Sequence, residues 1–378
     1  MRSRFLIANS RSADRSIVLV DMGHLANIHA QRARSFNDLA ANGIRKSEVD
    51  AFEQFLIDPG TLARPSLIVR CRVDHGEWDV RVVVDKRMSQ PRLTGTFLPF
   101  VRGLDPQPRG QAEFFLLVSD NVYVSPHRQR ECLDFFSRVP FVRCDQSEDD
   151  PLTMRTIQIP DYFLLDRTYA DELRAIADAV AAHPFDTRIE TITWRGSLHG
   201  SQYANDANYS QFRRFTLLML SLQHPGIVDA RLTNYHVEES ESGAALRARL
   251  ERMFGGPADA LPAEAFAAYK YLISTDGVGA GWKRLPISLA AGSVVLMQHR
   301  WTQFFYPGLA PWVHYVPVAD DLGDLIERYH WLTAHPSEAR TIADAGLRFA
   351  HTHLTPPALA AYFREVIEAC GELYRPDA

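Results

Sequence analysis

The sequence predicts an α/β protein in two halves built on parallel strands, and three observations predict it. From Ala170 onward, amphipathic helical stripes alternate with short apolar strands, the pattern of βαβ units. Earlier, residues 114–119 (FFLLVS) form a continuous apolar run, as a strand buried on both faces does. The chain has 378 residues, about twice an average domain, which leaves room for two cores.

The first third mixes signals. Residues 36–56 read as a helix. Residues 66–73 and 78–85 alternate enough to form a hairpin through Asp74-His75-Gly76-Glu77. Residues 90–110, rich in proline, glycine and arginine, read as a long loop. The FFLLVS strand stops at Asp120-Asn121. Leu173, Ile176 and Val180 then space a helix, residues 189–194 a strand and residues 211–222 a helix. Residues 271–274 and 293–298 are strands with a helix between them. Leu322, Leu325, Ile326 and Tyr329 share one helical face. Thr355-Pro356 supplies an N-cap and first-turn proline to a last helix striped by Leu359, Tyr362, Phe363, Val366 and Ile367. The division between halves falls near residues 160–171.

Composition narrows the function classes. Hydrophobic residues make up 46% and charged residues 23%, as in a globular protein with a sizeable core. Lys plus Arg number 41 and Asp plus Glu 46, a net charge of −5 without a long single-sign block. That argues against a nucleic-acid binder, which needs a basic face. Cys71, Cys132, Cys144 and Cys370 are far apart, which points away from a disulfide framework or zinc knuckle and toward a reducing cytoplasm. Residues 5–8 are too short an apolar stretch for a signal peptide, and no run reaches the length of a membrane span.

Three constellations carry candidate chemistry. Asp120 ends the FFLLVS strand, and ligands of open α/β sheets sit outside the carboxyl ends of strands. Its carboxylate suits a general base, or it simply terminates the strand. In Trp194-Arg195-Gly196-Ser197, a strand running into Gly-Ser allows close backbone approach. Ser197 can donate to a phosphate oxygen, while Arg195 suits either a phosphate or a structural carboxylate. Arg213 and Arg214, on the next helix, lie on a solvated face or point back at that crevice. The third, residues 269–296, runs as a strand, Asp276-Gly277 in a glycine-rich turn, a helix carrying Arg284, and Gly292-Ser293 opening another strand. Glycines at 277, 279 and 281, helix amides and Arg284 together offer a diphosphate room, donors and charge; a tight structural loop is the equal alternative. The spacing fits neither a Walker A loop nor a dinucleotide fingerprint. His351 and His353 read as helix-end histidines, with no metal expected.

The order of rarer residues over positions 269–350 adds a resemblance. YKYLISTDG, the stretch from Arg284 to AGSVVL, QFFYPGLAPWVHYVPV, DLGDLIERYHWLTAH and IADAGLRFA together resemble glycosyltransferase family 90. That family holds capsule-associated and lipopolysaccharide-modifying enzymes and the protein O-glucosyltransferases. WRGS resembles its aromatic-Arg-Gly-Ser motif, and FLLVSD its strand ending in a catalytic aspartate; residues before about 98 show little that is family-specific.

The resemblance implies a GT-B-like α/β architecture: two Rossmann-like domains facing across a cleft, with a C-terminal helix crossing back to the first. The expected boundaries are 1–165, 166–354 and 355–378. It also implies inverting, metal-independent transfer of glucose or xylose from a UDP-sugar, which is co-substrate rather than cofactor. Asp120 would be the base, with Arg195, Gly196, Ser197, Arg214, Asp276, Gly277, Arg284, Gly292, Ser293 and Gln303 on the donor side. Three departures stand out: Leu198 where a second basic residue often follows WRGS, Gln303 where Glu often precedes FFY, and no secretory signal, retention tail or cysteine framework. The acceptor expected is a cell-surface glycan such as lipopolysaccharide core, reached in the cytoplasm with peripheral membrane association. Alternatives are a protein O-glucosyl- or xylosyltransferase, or an inactive glycan-binding relative.

Overall fold

The computed structural model describes residues 36–198 and 203–375. The apolar stretch at residues 5–8 and the last three residues lie outside the described residues. Helix α1 (Lys46–Ile57) follows a helical stretch at 36–42. The single helix expected over 36–56 is broken because Gly43 takes φ +70°, a left-handed conformation that glycine adopts without strain.

Strands β1 (Ile68–Asp74) and β2 (Glu77–Val84) form the expected hairpin, turned by His75 and Gly76 at positive φ. Residues 90–110 depart from the loop expected there. A π-helical turn, Arg92–Phe97, runs straight into α2 (Leu98–Arg102). Pro91 and Pro99 sit at the starts of these helical turns, where a missing amide costs nothing, and Leu93, Phe97 and Val101 bury beneath them.

Strand β3 (Gln111–Leu117) is the FFLLVS strand, buried at all but its first residue. After α3 (Gln129–Phe136) come β4 (Phe141–Arg143), β5 (Asp145–Ser147) and β6 (Ile157–Gln158). The first sheet has the order β2-β1-β3-β4-β6, antiparallel through the hairpin and parallel from β3 to β6. Its core centres on Phe52 of α1, edge-on to Phe115 at 4.9 Å.

Helices α4 (Tyr162–Leu165) and α5 (Arg167–Ala182) lead into the second half. There β7 (Ile189–Ser197), α6 (Arg213–Gln223), β8 (Val228–Asn234), α7 (Glu241–Phe254), β9 (Tyr269–Thr275), α8 (Arg284–Ala290) and β10 (Val294–Gln298) alternate as expected. Strand β11 (Trp301–Gln303) leaves the sheet and β12 (Val316–Pro317) returns to it. The order is β8-β7-β9-β10-β12, all parallel. Numbered within the half this is 2-1-3-4-5, the doubly wound arrangement whose switch point lies between β7 and β9. Helices α9 (Leu325–Ala334) and α10 (Pro336–His353) cover it.

Two devices join the halves. Strand β5 of the first pairs antiparallel with β11 of the second, Gln146 opposite Thr302. Helix α11 (Pro356–Leu373) crosses back: Phe363, Val366, Ile367 and Cys370 enter the first core, while Leu359 belongs to the second half's. Phe363 packs edge-on against Phe100 at 5.2 Å, and Tyr374 donates to Glu113 Oε2 at 3.0 Å.

The crossing is tight at Gly371, where a Cβ would stand 2.7 Å from the Gln111 carbonyl oxygen. Gly371→Ala should therefore lower stability by about 1–3 kcal/mol, as overpacking against immobile backbone does. Gly256→Ala, with open space around it, should stay within about 0.5 kcal/mol. Urea unfolding of the two variants checks this; equal midpoints would mean that the helix is not seated on β3.

Candidate active site

The carboxyl ends of β7 and β9 flank the switch point, and two arginines fill the space between them. Arg214 enters from the first turn of α6 and Arg284 from the first residue of α8. Both stand against the buried Trp194 indole, their guanidinium carbons 5.8 and 5.6 Å from a ring centroid. Arg214 donates to the Ser197 carbonyl oxygen at 3.1 Å, and Arg284 donates to that of Arg195. Neither forms an ion pair among the described residues. Burial depresses both cations, Arg284 to about 9 with Arg214 adding repulsion, and Arg214 to about 10 against the opposing pull of Asp276. Around them the Trp194 Nε1, Arg214 Nε and Thr275 Oγ1 atoms are buried without a hydrogen-bond partner among the described residues. Buried charge and orphaned donors of this kind are costly unless something anionic completes them.

The glycines explain how the arginines fit. A Cβ at Gly277 would lie 2.7 Å from Arg214 Nη2, and one at Gly196 would lie 2.5 Å from the Trp194 ring. At Gly279 a Cβ would overlap the Asp145 carboxylate. The room expected for a diphosphate is therefore occupied by protein at these positions. Nor is the turn an open cradle of amides: those of Asp276, Gly277, Ala280 and Arg284 already donate to Gln298, Gly279, Asp145 and Gly281. Asp276 itself turns away to accept the amides of Arg300 and Trp301 at 2.5 and 2.9 Å, and burial lifts its carboxyl to about 7.

Several expected donor-side residues stand elsewhere. Arg195 is held by Asp229 at 2.7 Å, so of its two sequence readings the structural carboxylate is the one observed. Gly292 and Ser293 precede β10 and so lie at the amino end of the sheet, opposite the switch point. Gly292 takes φ +61° to close the turn after α8, and Ser293 donates to the Tyr269 carbonyl oxygen at the start of β9. Gln303 donates from Nε2 to Asp161 Oδ2 at 2.7 Å between the halves. Leu198 is core, and Arg213 reaches outward to Asp320 at 2.7 Å. Arg214, not residue 198, brings the second cation to the switch point beside Arg284. His351 and His353 end α10, and no group of three or more metal-ligating side chains occurs among the described residues.

Across from the arginines, Asp120 follows β3. Its neighbours are pinned from both sides: Ser119 Oγ accepts the Leu67 amide at 2.8 Å, and Ser66 donates to the Asn121 carbonyl oxygen at 2.9 Å. Arg92 Nη1 donates to Asp120 Oδ1 at 2.6 Å. The Asp120 side chain remains 41% exposed, which leaves its second oxygen accessible. Arg143, itself 1% exposed, donates to Asn121 Oδ1 at 2.9 Å and Asp145 Oδ1 at 2.8 Å. Asn121 reaches the Val278 carbonyl oxygen, and Asp145 Oδ2 accepts the Ala280 amide at 3.2 Å. The carboxyl ends of both sheets thus meet at the glycine turn. Sequence reasoning missed Arg92, hidden in a segment read as loop, and Arg143 and Asp145. The last had the signal that picked out Asp120, a carboxylate just past a short apolar strand.

A two-domain α/β protein with a cationic switch point is what fold and site define. The model of the family described as Glycosyl transferase family 90 matches residues 166–377, and the chain belongs to that family. Among curated relatives, Protein O-glucosyltransferase 2 of Danio rerio is 31% identical over 58% of this chain and 41% of its own length. Protein O-glucosyltransferase 3 of Mus musculus is 33% identical over 43% and 30%. The chain spans less than half the length of these relatives. Among solved structures, Anabaena HepE in complex with UDP-glucose overlaps 64% of this chain and 77% of its own at 13% identity, TM-score 0.38. Sucrose-phosphate synthase from Thermosynechococcus elongatus overlaps 64% and 61% at 12% identity, TM-score 0.41.

The buried Asp276 carboxyl makes a pH prediction. Its folded value, about 7, lies above the ordinary 3.8, so the folded state holds the proton more tightly. The stability this confers is full below about pH 4 and is lost as pH rises toward 7. Asp276→Asn, with nothing to titrate, should lose less stability than wild type between pH 4.5 and 7. Urea midpoints at the two pH values check this; parallel changes would place the Asp276 carboxyl in its ordinary range.

Proposed function

We propose that this chain is an inverting glycosyltransferase that moves glucose or xylose from a UDP-sugar to a hydroxyl of a cell-surface glycan such as lipopolysaccharide core, without a metal. The observation that carries the reading is the pair of largely buried guanidinium groups, Arg214 and Arg284, with no ion-paired carboxylate among the described residues at the switch point. A diphosphate supplies the missing charge and accepts from the orphaned donors.

Asp120 stands on the other side of the glycine turn. Its Oδ1 is held by Arg92, and its Oδ2 takes the proton of the acceptor hydroxyl. The oxygen then attacks the anomeric carbon from the face opposite UDP. The bond from that carbon to the phosphate oxygen breaks, and its electron pair stays on the diphosphate, where Arg214 and Arg284 stabilise it. Because Leu198 packs in the core and Gln303 binds Asp161, neither substitution strips the donor wall. That favours an active transferase over an inactive glycan-binding relative. The four cysteines are buried free thiols, which suits a reducing compartment; we place the reaction in the cytoplasm, at the membrane surface. A second reading, transfer to a protein hydroxyl, is favoured by the name protein O-glucosyltransferase that the curated relatives carry.

With UDP-glucose as donor, Asp120→Asn should slow transfer by about 10²–10⁴-fold, the usual loss for a general base, while still binding UDP. Wild-type turnover in that variant would remove Asp120 from the mechanism. Arg284→Ala should weaken UDP binding by roughly 10–100-fold in calorimetry, as loss of a charge-assisted bond does. Unchanged affinity would take Arg284 out of the phosphate site.

A further inference from the structure

Two aromatic rings meet near the Arg92–Asp120 pair, at the margin of the first core, against which Trp282 packs. Phe163, on α4 of the first half, is 39% exposed. Trp282, on the glycine turn of the second, is partly buried. Their centroids are 6.3 Å apart and their planes inclined by 58°, an open V with one wall from each half. Arg92 joins this V to the carboxylate: its guanidinium lies 5.8 Å from the Phe163 ring while Nη1 holds Asp120 Oδ1. Carboxylate, guanidinium and two rings therefore form one continuous surface.

Both rings are fixed. Trp282 adopts φ +51°, an unfavourable backbone state for so large a residue, which the surrounding turn must hold. Gly279 lies against it: a Cβ there, which would overlap the Asp145 carboxylate, would be in ordinary contact with the indole at 3.4 Å. Phe163 is positioned by Asp161, whose Oδ1 accepts the Phe163 amide at 2.8 Å and whose Oδ2 accepts from Gln303 of the second half. A strained, partly buried Trp282 paired with an exposed Phe163 ring beside a charged pair fits a binding surface.

A pyranose ring offers an apolar C–H face and a rim of hydroxyls, and needs a flat apolar wall beside charged hydrogen-bonding groups. A lone serine hydroxyl of a peptide needs no such wall. We propose that Phe163 and Trp282 are the acceptor subsite, stacking a sugar ring of a glycan so that one hydroxyl is directed at Asp120. This rests on the reading of Asp120 as the base and names the acceptor class as carbohydrate.

The test is saturation-transfer NMR on the full chain with UDP bound, using maltotriose and delipidated lipopolysaccharide core oligosaccharide as probes. Ring C–H protons of at least one probe should saturate in wild type. Phe163→Ala and Trp282→Ala should each weaken that binding about tenfold, within the range for loss of a stacking ring. Phe163→Tyr should retain it, and calorimetry should find UDP binding by Phe163→Ala at the wild-type value. Absence of saturation for both probes in wild type, or saturation at the wild-type level in both alanine variants, overturns the subsite. So does binding of a serine-containing peptide when neither sugar binds. Asp120→Asn separates the two readings: if it transfers at the wild-type rate while the alanine variants lose the sugar, the base assignment falls and the subsite stands.

Discussion

Two like charges buried against one indole are the constraint on which the second half is built. Arg214 and Arg284 stand on opposite helices, share Trp194 and form no ion pair among the described residues, Asp276 pulling on Arg214 only from a distance. Such an arrangement is unfavourable by itself, and the rest of the half works to hold it. The all-parallel sheet sends α6 and α8 out of the same end, so both arginines arrive at the gap between β7 and β9. Gly196 lets Trp194 lie flat, and Gly277 leaves the volume for Arg214. The carbonyl oxygens of Arg195 and Ser197 supply the partial negative charge that keeps both guanidinium groups tolerable.

The first half is fitted to that site through buried polar contacts rather than through a broad apolar face. Arg143 and Asp145, each 1% exposed, form an ion pair that reaches Asn121 on one side and the glycine turn on the other. Breaking one partner of such a pair costs about 3–5 kcal/mol, because the survivor is left charged in the interior. The β5–β11 ribbon and the Gln303–Asp161 bond repeat the device a few residues away. Helix α11 adds the apolar component, with Phe363 among Phe97, Phe100 and Trp78. The distance between Asp120 and the arginines is thus set by polar contacts of fixed length.

Legibility of the site followed chain distance. Asp120 was visible because a buried strand and its terminating carboxylate are adjacent in sequence. Arg284 was visible as a charge at the head of a helix after a glycine turn, next to Lys283. Arg195 looked equally suitable, and only the neighbouring strand, which brings Asp229 to its guanidinium, decides against it. Gly292 and Ser293 look like a ligand-approach motif on paper, yet strand direction puts them at the wrong end of the sheet. Arg92 was masked by a proline- and glycine-rich segment that nonetheless coils, since its prolines fall where a helix tolerates them.

What the sequence by itself determined was the local grammar: the alternation of strands and helices from Ala170 onward, the buried β3 strand, the hairpin, and the striped last helix. These depend on periodicity and turn chemistry within a few residues of chain. The tertiary structure decided which charges face each other. Arg214 meets Arg284 across about 70 residues of chain, Asp145 meets the glycine turn across about 135, and Phe163 meets Trp282 across about 119. No local pattern carries such pairings. They arise when parallel strands bring their carboxyl ends together, and the free energy of a buried charge depends on whatever then stands within a few ångströms of it.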